Sequence, residues 1–285
     1  MSQNVANVRQ RRVARTLRDW RRSKGATQEE VAKPLNWSVP KLSRFERADT
    51  IAGPAEIIAI GTVLGIEDAE RDRLVRLATA SIEPGWWNTY TPDAVRLGFE
   101  DYLEAEEIAR RLQSFEIHLV PGLLQTAGYY EAILREAVKG SHEELLNERR
   151  QLRQERQARL NASDNPLTYH AIVHESALRL PIGGPEVMRN QLRHLLSRNE
   201  LPNVTIQILP IDAGAYPGLG CAYHLITSGP DDVQGVYLEN LHDGLYLEDD
   251  AEIQVYTLAF ERLEGRALSP AASVRRITEL HEHWK

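Results

Sequence analysis

A single cysteine, Cys221, among 285 residues leaves no intramolecular disulfide framework and fits a reducing cytoplasm. Long hydrophobic runs are also missing. The longest candidate, Ile57 to Ile66, is far short of the ~20 apolar residues a membrane helix needs, so no membrane partner is expected. The opening stretch MSQNVANVRQRRVARTL has no apolar segment behind its arginines, so neither a secretory nor a twin-arginine signal is expected. G-x-S-x-G and H-E-x-x-H motifs, internal repeats and low-complexity segments are absent as well. What remains, 42% hydrophobic and 26% charged, is the composition of an ordinary globular protein. The length suits a small domain plus a larger one with its own core.

Charge is unevenly divided. The chain carries a net −7, which alone argues against nucleic-acid binding. Residues 1 to 50, however, hold twelve Lys/Arg against five Asp/Glu, a net of +7, leaving 22 basic and 36 acidic residues, a net of −14, for the rest. A positive field confined to one short region is what phosphate binding requires.

Within that region lies TQEEVAKPLNWSVPKLSRFER, Thr27 to Arg47. Its apolar residues, Val31, Leu35, Trp37, Leu42 and Phe45, fall where two short helices joined by a tight corner would pack. Ala32 sits at the expected crossing. Asn36 occupies the corner, where a positive φ is usually needed. Thr27 with Glu30 reads as a capping box, and Pro40 places the start of the second helix near Ser38 or Val39. Pro34 and Pro40 are expected to shorten the first helix or re-aim the second.

The pattern of Gln28, Ala32, Asn36, Leu42, and Phe45 followed by Glu46 resembles the helix-turn-helix of the lambda-repressor (XRE) family. In that family the second helix lies in the DNA major groove. The resemblance implies that Ser38, Val39, Pro40, Lys41, Ser43 and Arg44 face base edges or flanking phosphates, with Arg44 suited to guanine and Val39 and Pro40 to a thymine methyl. It implies that Gln28 holds a phosphate, and that Arg21 and Glu46 form an internal ion pair.

Around the motif, helices are expected at Val8 to Ser23, Ala55 to Leu64 and about Asp68 to Ala80. Together these form an all-α, lambda-repressor-like five-helix domain over residues 1–80. SIEPGWWNTYTP reads as part of a linker (81–96) whose Trp86, Trp87 and Tyr90 pin domains together, cover core or meet a partner. Residues 97–285 read as a larger α+β domain. It has helices at Phe99 to Ser114, from Thr126, at His142 to Leu160, Pro185 to Asn199, Asp249 to Glu264 and Pro270 to Trp284. Strands are expected at Tyr169 to His174, Val204 to Leu209, Ala222 to Thr227 and Val233 to Leu238. Acids and arginines interleave in ERRQLRQERQARL, the pattern of a solvated helix face.

The stretches LVPGLLQTAGYYEAIL, ALRLPIGGPEVMRNQLRHLL, NVTIQILP and VYLEN resemble the C-terminal domain of WhiJ-type regulators of actinobacteria. That likeness implies an antitoxin-like regulator paired with a small protein partner. It carries no functional residues over.

Other candidates for chemistry are weaker. His170 and His174 share a face but lack a third ligand, so neither metal nor other cofactor is expected. His281 and His283 read as a polar helix end. GAYPGLG lacks phosphate-loop spacing and reads as a hairpin or mobile loop. Cys221 reads as a small buried strand residue with no acid–base partner. The residues thus favour a sequence-specific, homodimeric transcription regulator that binds double-stranded DNA, with the acidic domain dimerising or receiving a small-molecule effector or protein partner. An antitoxin-like protein whose DNA binding is only autoregulatory is the alternative, and an enzyme bearing a DNA-binding module the least supported.

Overall fold

The computed structural model describes residues 6–95, 98–137, 142–228, 233–241 and 243–284. The chain divides into two compact units, 1–88 and 89–285. The expected boundary at residues 96 and 97 lies outside the described residues, as does the start of the leader.

In the first unit five α-helices enclose one core: α1 (Val8–Ser23), α2 (Gln28–Ala32), α3 (Val39–Glu46), α4 (Pro54–Val63) and α5 (Asp68–Ala80). Val13, Leu17 and Trp20 recur at helical spacing on α1 and are buried against Val31, Leu42, Phe45, Ile57, Ile60 and Leu74. The arginines of α1 are not all displayed to solvent. Arg9 is buried, and its Nη1 donates to the Ala80 carbonyl at 3.0 Å, while Asn7 Nδ2 donates to the Ser81 carbonyl at 3.0 Å. The start of α1 thereby satisfies carbonyls that the end of α5 would leave unpaired. Beyond α5, Trp87 is buried and Trp86 stands edge-on to it, the ring centroids 5.8 Å apart.

The second unit is built on a six-stranded sheet. Its helices and strands are, in order, α6 (Phe99–Ile108), β1 (Arg111–Glu116), α7 (Ala127–Ala137), α8 (Glu143–Ala158), β2 (Thr168–His174), α9 (Glu175–Arg179), α10 (Pro185–Arg198), β3 (Val204–Leu209), β4 (Tyr223–Thr227), β5 (Val233–Glu239), β6 (Gly244–Leu247), α11 (Asp250–Glu264) and α12 (Pro270–His283). Spatial order is β3-β2-β1-β4-β5-β6. The first three strands are parallel, while β4, β5 and β6 join in antiparallel succession.

Register divides the sheet residues between two faces. Phe115, Ile172, Tyr223, Leu225 and Val236 pack with Ile253, Phe260 and Leu263 of α11 in one apolar cluster. Ser114, opposite His224, and His224, opposite Tyr237, share the other face. Glu116 and Glu239 lie two residues further along β1 and β5 and so belong to that same face.

Three expectations fail here. The helix foreseen from Phe99 to Ser114 ends at Ile108, and residues 111–116 form the central strand β1, buried from Leu112 to Phe115. Helical spacing of Phe99, Tyr102, Ala109 and Leu112 suggested one continuous helix. Pairing with β2 on one side and β4 on the other overrides it. Glu104, which the helical spacing of Phe99, Tyr102, Ala109 and Leu112 would set on the opposite, solvent side, is buried, as is Glu106. The helix read as solvated turns arginines inward: Arg156 forms a two-pronged pair with Glu106, Nε to Oε1 at 2.8 Å and Nη2 to Oε2 at 2.9 Å. No helix among the described residues is long and apolar enough to cross a membrane.

Candidate nucleic-acid interface

Chain order alone brings α2 and α3 together, and three local devices fix the corner between them. Thr27 Oγ1 accepts from the Glu30 N–H while Glu30 Oε2 accepts from the Thr27 N–H at 2.8 Å, closing a capping box that starts α2. Pro34 falls in a single 3-10 turn, Lys33–Leu35, so α2 is shortened to five residues. Asn36 then adopts φ 55°, ψ 37°, the left-handed conformation asparagine tolerates better than most side chains. Trp37 N–H donates to the Ala32 carbonyl at 3.0 Å, sealing the turn over Ala32, which is fully buried. Ser38 caps α3, and Pro40 sits in its first turn, where no intrahelical donor is lost.

Packing sorts the residues of α3. Leu42 and Phe45 point into the core, whereas Ser38, Val39, Pro40 and Arg44 are exposed and Lys41 and Ser43 half-buried. Lys41 is held back on the domain's own surface: its Nζ lies 4.1 Å from the Trp37 ring centroid and 5.6 Å from that of Phe45. Arg22, Lys24, Lys33 and Arg47 are also exposed.

Orientation of α3 depends on a charged cluster beneath it. Arg21 grips Glu46 with two hydrogen bonds, Nε to Oε1 at 2.6 Å and Nη2 to Oε2 at 2.8 Å, and its Nη1 donates to the Ala26 carbonyl at 3.0 Å. Burial pushes the Glu46 carboxyl up, but the bonds from Arg21 and Gln28 outweigh it and hold it below the usual carboxylate range. Gln28 spends one amide proton here, donating from Nε2 to Glu46 Oε2 at 2.8 Å. This residue is therefore a brace between α2 and α3, with one amide proton left for a phosphate. The sequence pattern suggested the phosphate contact and missed the brace, because Gln28 and Glu46 lie on different helices.

The weaker candidates fall elsewhere. His170 is buried and its Nε2 is 2.7 Å from Gln207 Oε1; His174 Nδ1 is 2.7 Å from Ser176 Oγ at the start of α9. Burial pushes both imidazoles below the ordinary histidine range. Among the described residues no group of three or more His, Cys, Asp or Glu could hold a metal ion. Cys221, expected to be buried in a strand, is half-buried and precedes β4. Residues 214–220 form a loop in which Gly214, Gly218 and Gly220 have positive φ.

Two family models match. Residues 12–74 match a helix-turn-helix domain and residues 99–279 a domain of unknown function, DUF5753. No curated protein and no solved structure matches the chain. The N-terminal helices thus form a helix-turn-helix domain of the kind found in DNA-binding regulators, and the chain, over most of its length, belongs to the DUF5753 family.

Proposed function

We propose that this protein is a sequence-specific transcription regulator that binds duplex DNA through α3 and does not act as an enzyme. The observation that carries this reading is the exposure of Val39, Pro40 and Arg44 on a helix braced from below by Arg21, Glu46 and Gln28, within the basic first fifty residues. Arg44 is the base reader, since a guanidinium satisfies guanine O6 and N7 together. Val39 and Pro40 supply apolar contact, and Ser38 and Ser43 meet flanking phosphates, joined by Lys41 once its ammonium swings off the Trp37 ring. One such helix spans only a half-site, so two copies of the chain bind a two-fold operator with centres about 34 Å apart.

The test is selection of bound sequences from random DNA by the purified protein, repeated with Arg44→Ala. The parent is expected to enrich a two-fold motif. Arg44→Ala should bind that motif about 1 to 3 kcal/mol more weakly and lose preference at one base in each half-site. Enrichment of no motif by the parent overturns the proposal.

A further inference from the structure

The second unit encloses a cavity of ≈ 470 Å³, within the range of small-molecule sites. It lies against the sheet face that carries Glu116, His224, Tyr237 and Glu239, roofed by α6, α7 and α8. Its lining is of two kinds. Phe99, Tyr102 and Tyr237 form an aromatic wall, with Tyr102 and Tyr237 centroids 4.5 Å apart, and Ile133 and Leu134 of α7 add aliphatic surface. Against these stand the guanidinium groups of Arg153 and Arg156, one turn apart on α8.

The two arginines differ in one respect. Arg156 is neutralised by Glu106. Arg153 has no such pair: its Nε and Nη1 are buried and meet no hydrogen-bond partner, while Tyr130 stacks on the guanidinium carbon at 3.9 Å. Gly122 lets the guanidinium lie close against the backbone there, since a Cβ would displace Arg153 Nη1. Burial, with the like charge of Arg156, pushes the Arg153 guanidinium down from its ordinary range against the opposing pull of Tyr130, although an arginine stays charged at neutral pH. The acids facing it do not cancel this. Glu116, 3.5 Å from His224 Nε2, is pushed by burial and by Glu239 up to about 8, so it is largely protonated at neutral pH and offers a donor. Burial likewise pushes His224 down to about 4, leaving it neutral.

We propose that the cavity binds a small amphiphilic monoanion, an alkyl or aryl carboxylate, whose acid group pairs with Arg153 and whose apolar body lies against Tyr102, Tyr237 and the inner side of α7. Arg153, half-buried beside the aromatic wall, makes no ion pair with an acid, and a carboxylate is the planar, two-oxygen group that complements a guanidinium. The aromatic wall then decides which acids fit. The proposal stands on the second unit alone and does not require the first to bind DNA.

The test is calorimetric titration of the full-length protein at neutral pH with naphthylacetate, phenylbutyrate and decanoate, each beside its uncharged amide, and with phenylethylamine. At least one acid is expected to bind about 10- to 100-fold more tightly than its amide, the ratio a charged hydrogen bond supports. Arg153→Met should erase that ratio. Ile133→Trp, which fills the cavity, should abolish binding of acid and amide alike. Circular dichroism shows whether each variant keeps its fold; should Arg153→Met unfold, Ile133→Trp and the acid-to-amide ratio of the parent decide. Failure of every acid to outbind its amide, or tighter binding of the amine, overturns the proposal.

Discussion

Glu116 illustrates how a single side chain can make the second unit sensitive to pH. Its carboxyl titrates near 8 in the fold because burial and Glu239 disfavour the charged form, against an ordinary 4.5. Between those values the folded chain holds a proton that the unfolded chain has released. The stability this group contributes is therefore complete below 4.5 and declines as pH rises towards 8. Glu116→Gln keeps the shape and removes the titration. Urea denaturation midpoints of the variant should gain on those of the parent as pH rises through that window, and equal midpoints throughout would disprove it. At the same scale, Gln28→Ala removes a brace on Glu46 and, on the proposed reading, a phosphate donor. It should weaken binding to all DNA sequences alike, whereas Arg44→Ala should act on one base; competition binding against single-base operator variants separates the two.

At the scale of elements, the decisive contact of the first unit joins α1 to α3. Arg21→Met would leave the Glu46 carboxylate, almost wholly buried, with only Gln28 as a side-chain donor. Stripping one partner from such a pair costs about 3 to 5 kcal/mol, whereas replacing both with apolar residues is often close to neutral. Denaturant titration should accordingly show Arg21→Met strongly destabilised and the double variant Arg21→Met, Glu46→Leu largely restored. Several elements could be read from sequence alone. The α1 helix spans Val8–Ser23 as expected, and Asn36 and Pro40 marked the corner and the start of α3, because each signal acts within a few residues. The misreadings share a cause. β1 depends on partners distant in the chain, α9 is a five-residue helix started by the His174 side chain, and the inward arginines of α8 depend on Glu106 and a cavity that no local pattern announces. For the same reason Arg153 and Glu116 were not singled out: a lone arginine in a mixed-charge helix looks like any solvated one until its neighbours are placed.

For the whole molecule, the division of charge governs association with DNA. The basic region releases counterions on binding, so log K should fall linearly with log salt concentration, by about 0.9 for each phosphate contacted. Neutralising Arg22 and Lys24, both exposed, should reduce that slope without changing the motif selected; a slope unaffected by either would remove the basic region from the interface. The sheet has a different consequence. In its antiparallel half β4 and β5 are successive in the chain, but β1 cannot find its parallel neighbour β2 until α7 and α8 have been threaded between them, and β2 must wait on α9 and α10 for β3. Contacts so remote in the chain assemble late, whereas a helical domain with local contacts assembles early. Stopped-flow refolding should therefore show a rapid rise in helicity followed by a slower phase. During that interval a newly synthesised chain would already present a finished DNA-reading head while the rest of it was still searching for its native pairing.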